Sequence, residues 1–596
     1  MIKKLAKYIG QYKKYVLAAP FLVLLDVAAE LSMPLLMSMI VDTGIPSGDK
    51  DYIFKIGIYM ILLAISAIIF GVLNMKVSST AGQGFGANLR AALFKKVQGY
   101  SFSNIDHFST GSLVTRLTND VNNLQNSFIM GIRLLLRSPM MFIVALVLAF
   151  RINAQLSLIL AIAIPVLAVG IAYFMSKAVK LYTVMQTKID ALNNKIQENL
   201  VGIRVVKSFV RQDHEKKKFK ESNDDLTEAA IKAANLALTA MPLMMLVINS
   251  VTVAIIWFGG GMIIEGSMAT GELISFISYV MQILVSIMML SMVILMVARA
   301  EASGKRILEV LEEQVDIVDP SVLPVEADTI LIPSSGESSP ERHTIRSGKV
   351  EYKDVSFKYT VSGTGENVLN GINFTVQPGE IIGIVGGTAT GKTTLVNLIP
   401  RMYDVTEGAV LVDDVDVREY RLADLRAAIG VVLQQNTLFS GTIRENLLWG
   451  NENATQEELE QACKDAQAHD FIMSFPQGYD TSLGQAGVNI SGGQKQRLYI
   501  ARAMLKKPKI LILDDSTSAV DSATEEKIRK SFYANLKNTT VFIIAQRISS
   551  VHKADRIIVL DDGMIAGMGS HQDLMASNTI YKEINASQQE GVFANA

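Results

Sequence analysis

Six long apolar stretches alternate with polar connections over the first 300 residues, and then the pattern changes. The apolar runs fall near 16–45, 53–77, 131–150, 155–176, 241–265 and 271–298. A bilayer core takes about 20 apolar residues per helix, so each run predicts a membrane span. Those longer than this tilt or project into water. Pro20, Pro34, Pro139, Pro165 and Pro242 lie in or beside the runs, a placement that membrane helices tolerate. The polar connections 78–130 and 177–240 predict helices continuing far beyond the membrane, whereas 46–52, 151–154 and 266–270 are short loops.

Lysine and arginine set the orientation. Lys3, Lys4, Lys7, Lys13 and Lys14 precede the first run, and Lys207, Arg211 and Lys216 to Lys218 lie between the fourth and fifth. The short loops carry few cations. Positive charge stays on the cytoplasmic side, so both termini are expected in the cytoplasm of a protein of the plasma (inner) membrane. The apolar run after the basic start is too long for the core of a cleaved signal, and none is expected.

From Val350 the period shortens. "GKVEYKDVSFKY" and "FTVQPGEIIGIVG" read as strands; "TTLVNLIPRMY" and "QKQRLYIARAML" read as helices. Buried strands alternating with helices predict an α/β layer. The organisation expected is a multidomain chain: an all-α six-helix transmembrane domain at 1–310, a linker at 311–348, an α/β P-loop domain at 349–585 and a tail at 586–596. The linker includes "PSSGESSPERH", whose Ser/Pro bias predicts a spacer rather than a packed element.

Composition adds limits. The chain has 596 residues, 49% of them hydrophobic. The formal charge of −1 supplies no bulk attraction to nucleic acid. Cys463 is the only cysteine and cannot form an internal disulfide.

The chemistry begins at "GGTATGKTT". Gly386, Gly387, Thr388, Ala389, Thr390, Gly391, Lys392, Thr393 and Thr394 fit G-x-x-x-x-G-K-[ST] between an apolar strand and a helix, the context this phosphate-binding motif requires. Backbone N–H groups face phosphate oxygens, Lys392 adds a point charge, and the Thr393 hydroxyl suits Mg²⁺. "ILILDD" predicts a strand ending at Asp514, a second Mg²⁺ ligand. ATP with Mg²⁺ is the expected cofactor. A second glycine-rich helix start lies between these two motifs: "NISGGQKQR", with Ser491, Gly492, Gly493 and Gln494.

On these motifs, residues 1–300 and 350–580 resemble an ABC exporter half-transporter. The resemblance implies several roles. Tyr359 would stack on adenine, and Gln434 would reach Mg²⁺ and the attacking water. Ser491 to Gln494, with Asp521 of "STSAVD", would contact ATP held by an opposite cassette. The functional unit would then be a dimer. "STGSLVTRLTNDV" and "NLVGIRVVKSFVRQ" resemble intracellular loops whose short helices dock on cassettes.

The sequence departs from that family at four positions. Asp515 stands where the family has its catalytic glutamate, and Gln546 where it usually has a histidine. Ala389 and Gln485 replace a common glycine and glutamate. A carboxylate displaced by about 1 Å can cost on the order of 10²-fold in rate, and glutamine cannot take up a proton. A site that binds Mg-ATP but hydrolyses it slowly is expected, with the signature completing a consensus site on a second, non-identical half-transporter.

Asp26 and Glu30 lie one helical turn apart in the first run. Ionised acids inside a membrane normally face a cavity or a partner, so a cavity for cationic amphiphiles is one expectation and a pairing with a neighbouring helix the other. Met288 and Met292 sit in a methionine-rich sixth run, a surface that adapts to apolar ligands or simply packs. An ATPase-coupled exporter of lipophilic substrates is expected. A homodimeric lipid or peptide exporter and an ATP-gated channel or regulator are the alternatives.

Overall fold

The computed structural model describes residues 1–319, 343–359, 365–515, 520–536 and 538–593. Most of "PSSGESSPERH" and most of "STSAVD" lie outside them. The chain forms two compact units: Met1–Val97 with Gly111–Glu312, and Gln98–Thr110 with Glu313–Ala596.

Among the described residues, six helices are long and apolar enough to cross a membrane: α1 (Lys3–Ser47), α2 (Lys50–Gln98), α4 (Thr110–Ile152), α5 (Ala154–Val201), α7 (Gln212–Ile264) and the apolar part of α8 (Thr270–Glu312). Two short helices, α3 (Phe102–His107) and α6 (Ile203–Ser208), lie between them. The apolar windows locate the spans but not the helix ends. The third run, expected at 131–150, belongs to a helix that begins at Thr110, because its polar first half stays helical. At 1.5 Å per residue, α7 with its 53 residues is about 80 Å long. The polar halves of α5 and α7 are joined by Lys188–Asp225 at 2.5 Å and by Asn199 Nδ2 donating to Glu215 at 3.1 Å.

Val23, Val27 and Leu31 of α1 pack with Leu160, Leu167, Phe276 and Ile283 in the core of this unit. Proline has no N–H to give a helix. In α1, near Pro34, side chains of α8 bond to carbonyls: Tyr279 donates to Leu31 O at 2.7 Å, and Ser275 donates to Pro34 O at 2.5 Å. In the stretch resembling the first intracellular loop, buried Asp120 accepts from Ser303 at 2.9 Å and from Arg306 Nε at 2.8 Å.

The second unit contains two larger sheets. β1 (Val350–Phe357), β2 (Leu369–Val376), β4 (Glu407–Val412) and β5 (Val415–Asp416) form an antiparallel sheet in the order β2-β1-β4-β5. β3 (Ile381–Gly386), β6 (Ile429–Val432), β9 (Ile510–Asp514), β10 (Thr540–Ile544), β11 (Arg556–Asp561) and β12 (Met564–Gly569) form the other. Its order is β12-β11-β3-β10-β9-β6, with only β12 antiparallel. β7 (Gly441–Thr442) and β8 (Ser482–Leu483) make a small ribbon. β9 is buried at every residue, as a parallel strand covered on both faces should be. Cys463 lies in the core, where burial pushes its thiol up to about 12.

β3 and β9 flank β10 in parallel register, so their carboxyl ends emerge on one edge. Ligands of such sheets bind outside that edge. Four further helices of this unit are α9 (Lys392–Asn397), α10 (Gly492–Leu505), α11 (Ser522–Asn535) and α12 (Thr579–Phe593).

Candidate nucleotide site

A cleft of about 700 Å³ opens at the carboxyl ends of β3 and β9. Gly386 to Thr394, Tyr359, Gln434, Asp514, Asp515 and Gln546 all line it. The loop from β3 is glycine-rich for a steric reason. A Cβ on Gly386 would lie 2.2 Å from Leu560 O, and Gly391 starts α9 at φ +89°. Ala389 also sits in the left-handed region, at φ +63°, a conformation that costs an L-residue with a Cβ roughly 1 kcal/mol.

The Lys392 ammonium folds back on this loop. It donates to Gly386 O at 3.1 Å and also to Gly387 O. Burial lowers its pKa, against the pull of Asp514 and Asp515. Thr393 donates to Asp514 Oδ2 at 2.8 Å, so a hydroxyl and a carboxylate 121 residues apart share one corner. A hard cation takes oxygen donors of this kind, and the pair fits Mg²⁺. Burial raises the pKa of Asp514, with Asp515 adding to the effect.

Asp515 and Gln546 touch: Gln546 Nε2 donates to Asp515 Oδ2 at 2.8 Å. Burial raises the Asp515 pKa while this bond opposes the rise. The Asp515 backbone lies at φ +46°, a region that aspartate tolerates better than most residues. At the other end of the cleft, the Tyr359 hydroxyl lies 3.0 Å from Thr394 Oγ1, and its ring meets Phe357 and Tyr403 edge-on. The half-buried ring offers an apolar face beside the phosphate loop.

The signature residues are placed differently. Ser491 caps α10, accepting from Gln494 N–H at 3.3 Å, while Gln494 Oε1 accepts from Ser491 N–H at 2.8 Å. Asp521 caps α11 by accepting from Thr524 N–H at 3.0 Å. Ser491, Gly492, Gly493, Gln494 and Asp521 do not line the cleft.

The short helix expected in "STGSLVTRLTNDV" lies just before it. α3 is fixed by a Ser101–Asn104 capping box, and within the second unit Tyr403 donates to Asp106 at 2.7 Å. "NLVGIRVVKSFVRQ" contains α6.

Of the two arrangements expected for Asp26 and Glu30, the structure shows the pairing with a neighbouring helix. Arg137 stands against both, at 3.2 Å from Asp26 and 2.5 Å from Glu30. A buried carboxylate without a partner is costly, and a neighbouring helix supplies the partner here. Asp26 Oδ2 still has no aligned hydrogen bond. Met288 packs against the core of the membrane unit, and the side chain of Met292 lies outside the described residues.

Sequence reasoning missed Ile584 and Gln588 of α12, which line the cleft. No motif marks them, and they lie almost 200 residues beyond the phosphate loop.

The family model "ABC transporter transmembrane region" matches residues 16–288, and the model "ABC transporter" matches residues 369–518. The chain is 37% identical over 587 residues to an uncharacterized ABC transporter ATP-binding protein of Bacillus subtilis (strain 168), covering 98% of each chain. It is 34% identical over 510 residues to the ATP-dependent lipid A-core flippase of Syntrophus aciditrophicus, covering 86% of this chain and 81% of that one. It also aligns with the ATP-bound structure of a bacterial Atm1-family ABC exporter at a TM-score of 0.79 and 25% identity, over 97% of this chain and 98% of that chain.

Proposed function

This chain belongs to the ABC transporters, as an ABC exporter with a transmembrane region fused to an ATP-binding cassette, and on that premise we propose that it is one half of a heterodimeric exporter whose own ATP site is slow. It is an integral membrane protein and an ATPase-coupled transporter. The observation that carries the finer reading is the pairing of Asp515 with Gln546 inside an otherwise complete cleft. Lys392 and the loop N–H groups hold the phosphates, and Tyr359 supports the adenine. Thr393, Asp514 and Gln434 would hold Mg²⁺, which when bound neutralises phosphate charge. Asp515 carries the base position on a side chain one methylene short, and Gln546 cannot accept its proton.

Ser491 to Gln494 and Asp521 do not line this cleft, and they serve a site on a second, non-identical half-transporter. Closure of the two cassettes drives alternating access through α2, α4, α5 and α7. Both termini face the cytoplasm across the plasma membrane. The cargo is a small lipophilic molecule entering from the bilayer. Because Arg137 neutralises much of the Asp26–Glu30 charge, apolar area, including Met288 and Met292, dominates recognition. The likeness to a lipid A-core flippase favours a lipid-like cargo as the second reading.

The test is hydrolysis by the purified chain alone, compared with Asp515→Glu/Gln546→His. The reading expects ATP binding by both and fast turnover only by the double variant. Turnover at ordinary transporter rates by the unaltered chain would end it.

A further inference from the structure

We infer that Gln588, on the C-terminal helix α12, is a positioning residue for the ATP site: it holds the backbone of the segment that presents Gln546 to Asp515. The inference rests on the assignment of the cleft to ATP and adds a part to it.

The geometry is specific. Gln588 Nε2 donates to Gln546 O at 2.7 Å, and Gln588 Oε1 accepts from Ile548 N–H at 2.9 Å. One primary amide thus binds the chain on both sides of Arg547. Only a group with a donor and an acceptor side by side does this, which excludes the ammonium of lysine and the ionised carboxylate of glutamate. The neighbouring backbone is anchored elsewhere: Ala545 N–H to Ile384 O at 3.3 Å, Val551 N–H to Ile548 O at 3.0 Å, and Ser549 O to Arg529 at 2.7 Å. Residues 546 and 547 bridge these anchors, with Arg547 O accepting from Ser550 N–H at 3.1 Å, and there the Gln588 amide adds its two bonds. The Gln546 side chain then reaches Asp515 Oδ2 at 2.8 Å.

α12 is seated without help from Gln588. Tyr581 is fully buried, its hydroxyl lies 2.7 Å from His571 Nδ1, and its N–H bonds to Asn578 at 2.8 Å. Ile584 and Gln588 follow at one-turn spacing, and both line the cleft. The C-terminal helix is therefore a wall of the nucleotide site and not an appendage. Because the clamp acts on backbone, it sets the position of residue 546 whatever side chain stands there. It affects alignment for hydrolysis rather than capture of the nucleotide, which falls to Lys392 and the phosphate loop.

The experiment compares the full chain with Gln588→Met and Gln588→Ala in lipid nanodiscs. It measures equilibrium binding of a fluorescent N-methylanthraniloyl ATP, single-turnover hydrolysis of Mg-ATP, and thermal unfolding. Methionine keeps the length and bulk of glutamine without its hydrogen bonds. Both variants are expected to bind nucleotide within about twofold of the unaltered chain and to hydrolyse it about tenfold more slowly, a split between binding and chemistry. A Gln588→Met protein with the unaltered rate would overturn the inference, since packing alone would then suffice. So would a parallel loss of affinity, rate and melting temperature, which marks a purely structural residue. Failure of the unaltered chain to bind the nucleotide would remove the assignment of the cleft, and the inference with it.

Discussion

The chain carries two glycine-rich helix starts, and their surroundings differ. Around Lys392, the loop, a carboxylate from β9, an aromatic ring and the Asp515–Gln546 pair all face one cavity. At Ser491 the hydroxyl and Gln494 satisfy each other's backbone groups, and none of the segment reaches that cavity. Similar local sequence therefore makes a convergent site in one place and a self-capped, exposed end in the other. A motif gives the local geometry of a helix start, whereas the surrounding fold determines what it faces. The departures at 389, 515 and 546 all lie in the convergent site.

The comparison breaks first at Lys392. Lys392→Ala is expected to weaken ATP binding about 100-fold, since a hydrogen bond to a charged group contributes roughly 1.5–3 kcal/mol; equilibrium nucleotide titration measures it. Next, Asp515→Glu should raise single-turnover hydrolysis by about 10- to 100-fold by restoring reach. An unchanged rate would place the defect elsewhere in the cleft. Ser491→Ala sharpens the contrast. It should leave nucleotide affinity of this chain's cleft within about twofold, slow turnover of the assembled transporter, and cost about 1 kcal/mol as a lost helix cap. Reduced affinity in the isolated chain would show that the two helix starts are not separate. The smallest effect is at Ala389. Ala389→Gly relieves a left-handed alanine, and thermal unfolding should show the nucleotide-free protein stabilised by up to about 1 kcal/mol.

The fold was legible because its signals are strong and local. Apolar runs long enough to span a bilayer have no other common reading, and a strand followed by a phosphate loop has few. Helix ends were less legible: the third helix starts 21 residues before its expected span, because hydropathy marks where lipid lies and not where helical hydrogen bonding stops. Asp26 and Glu30 show a different limit. Their spacing put both on one face, but whether that face met a cavity or Arg137 depended on a helix more than 100 residues away.

By itself the sequence determined the class of the chain, its six apolar helices and the glycine-rich loop expected to hold a phosphate. These follow from hydropathy, period and short-range spacing, which are written in neighbouring letters. Only the tertiary structure decided which of those residues meet. It brought Thr393 to Asp514 and Gln546 to Asp515, left Ser491 outside the cleft lining, and laid α12 along the cleft so that Gln588 grips the backbone beside Gln546. Side-chain convergence depends on strand order and helix docking, and no short stretch of sequence contains either.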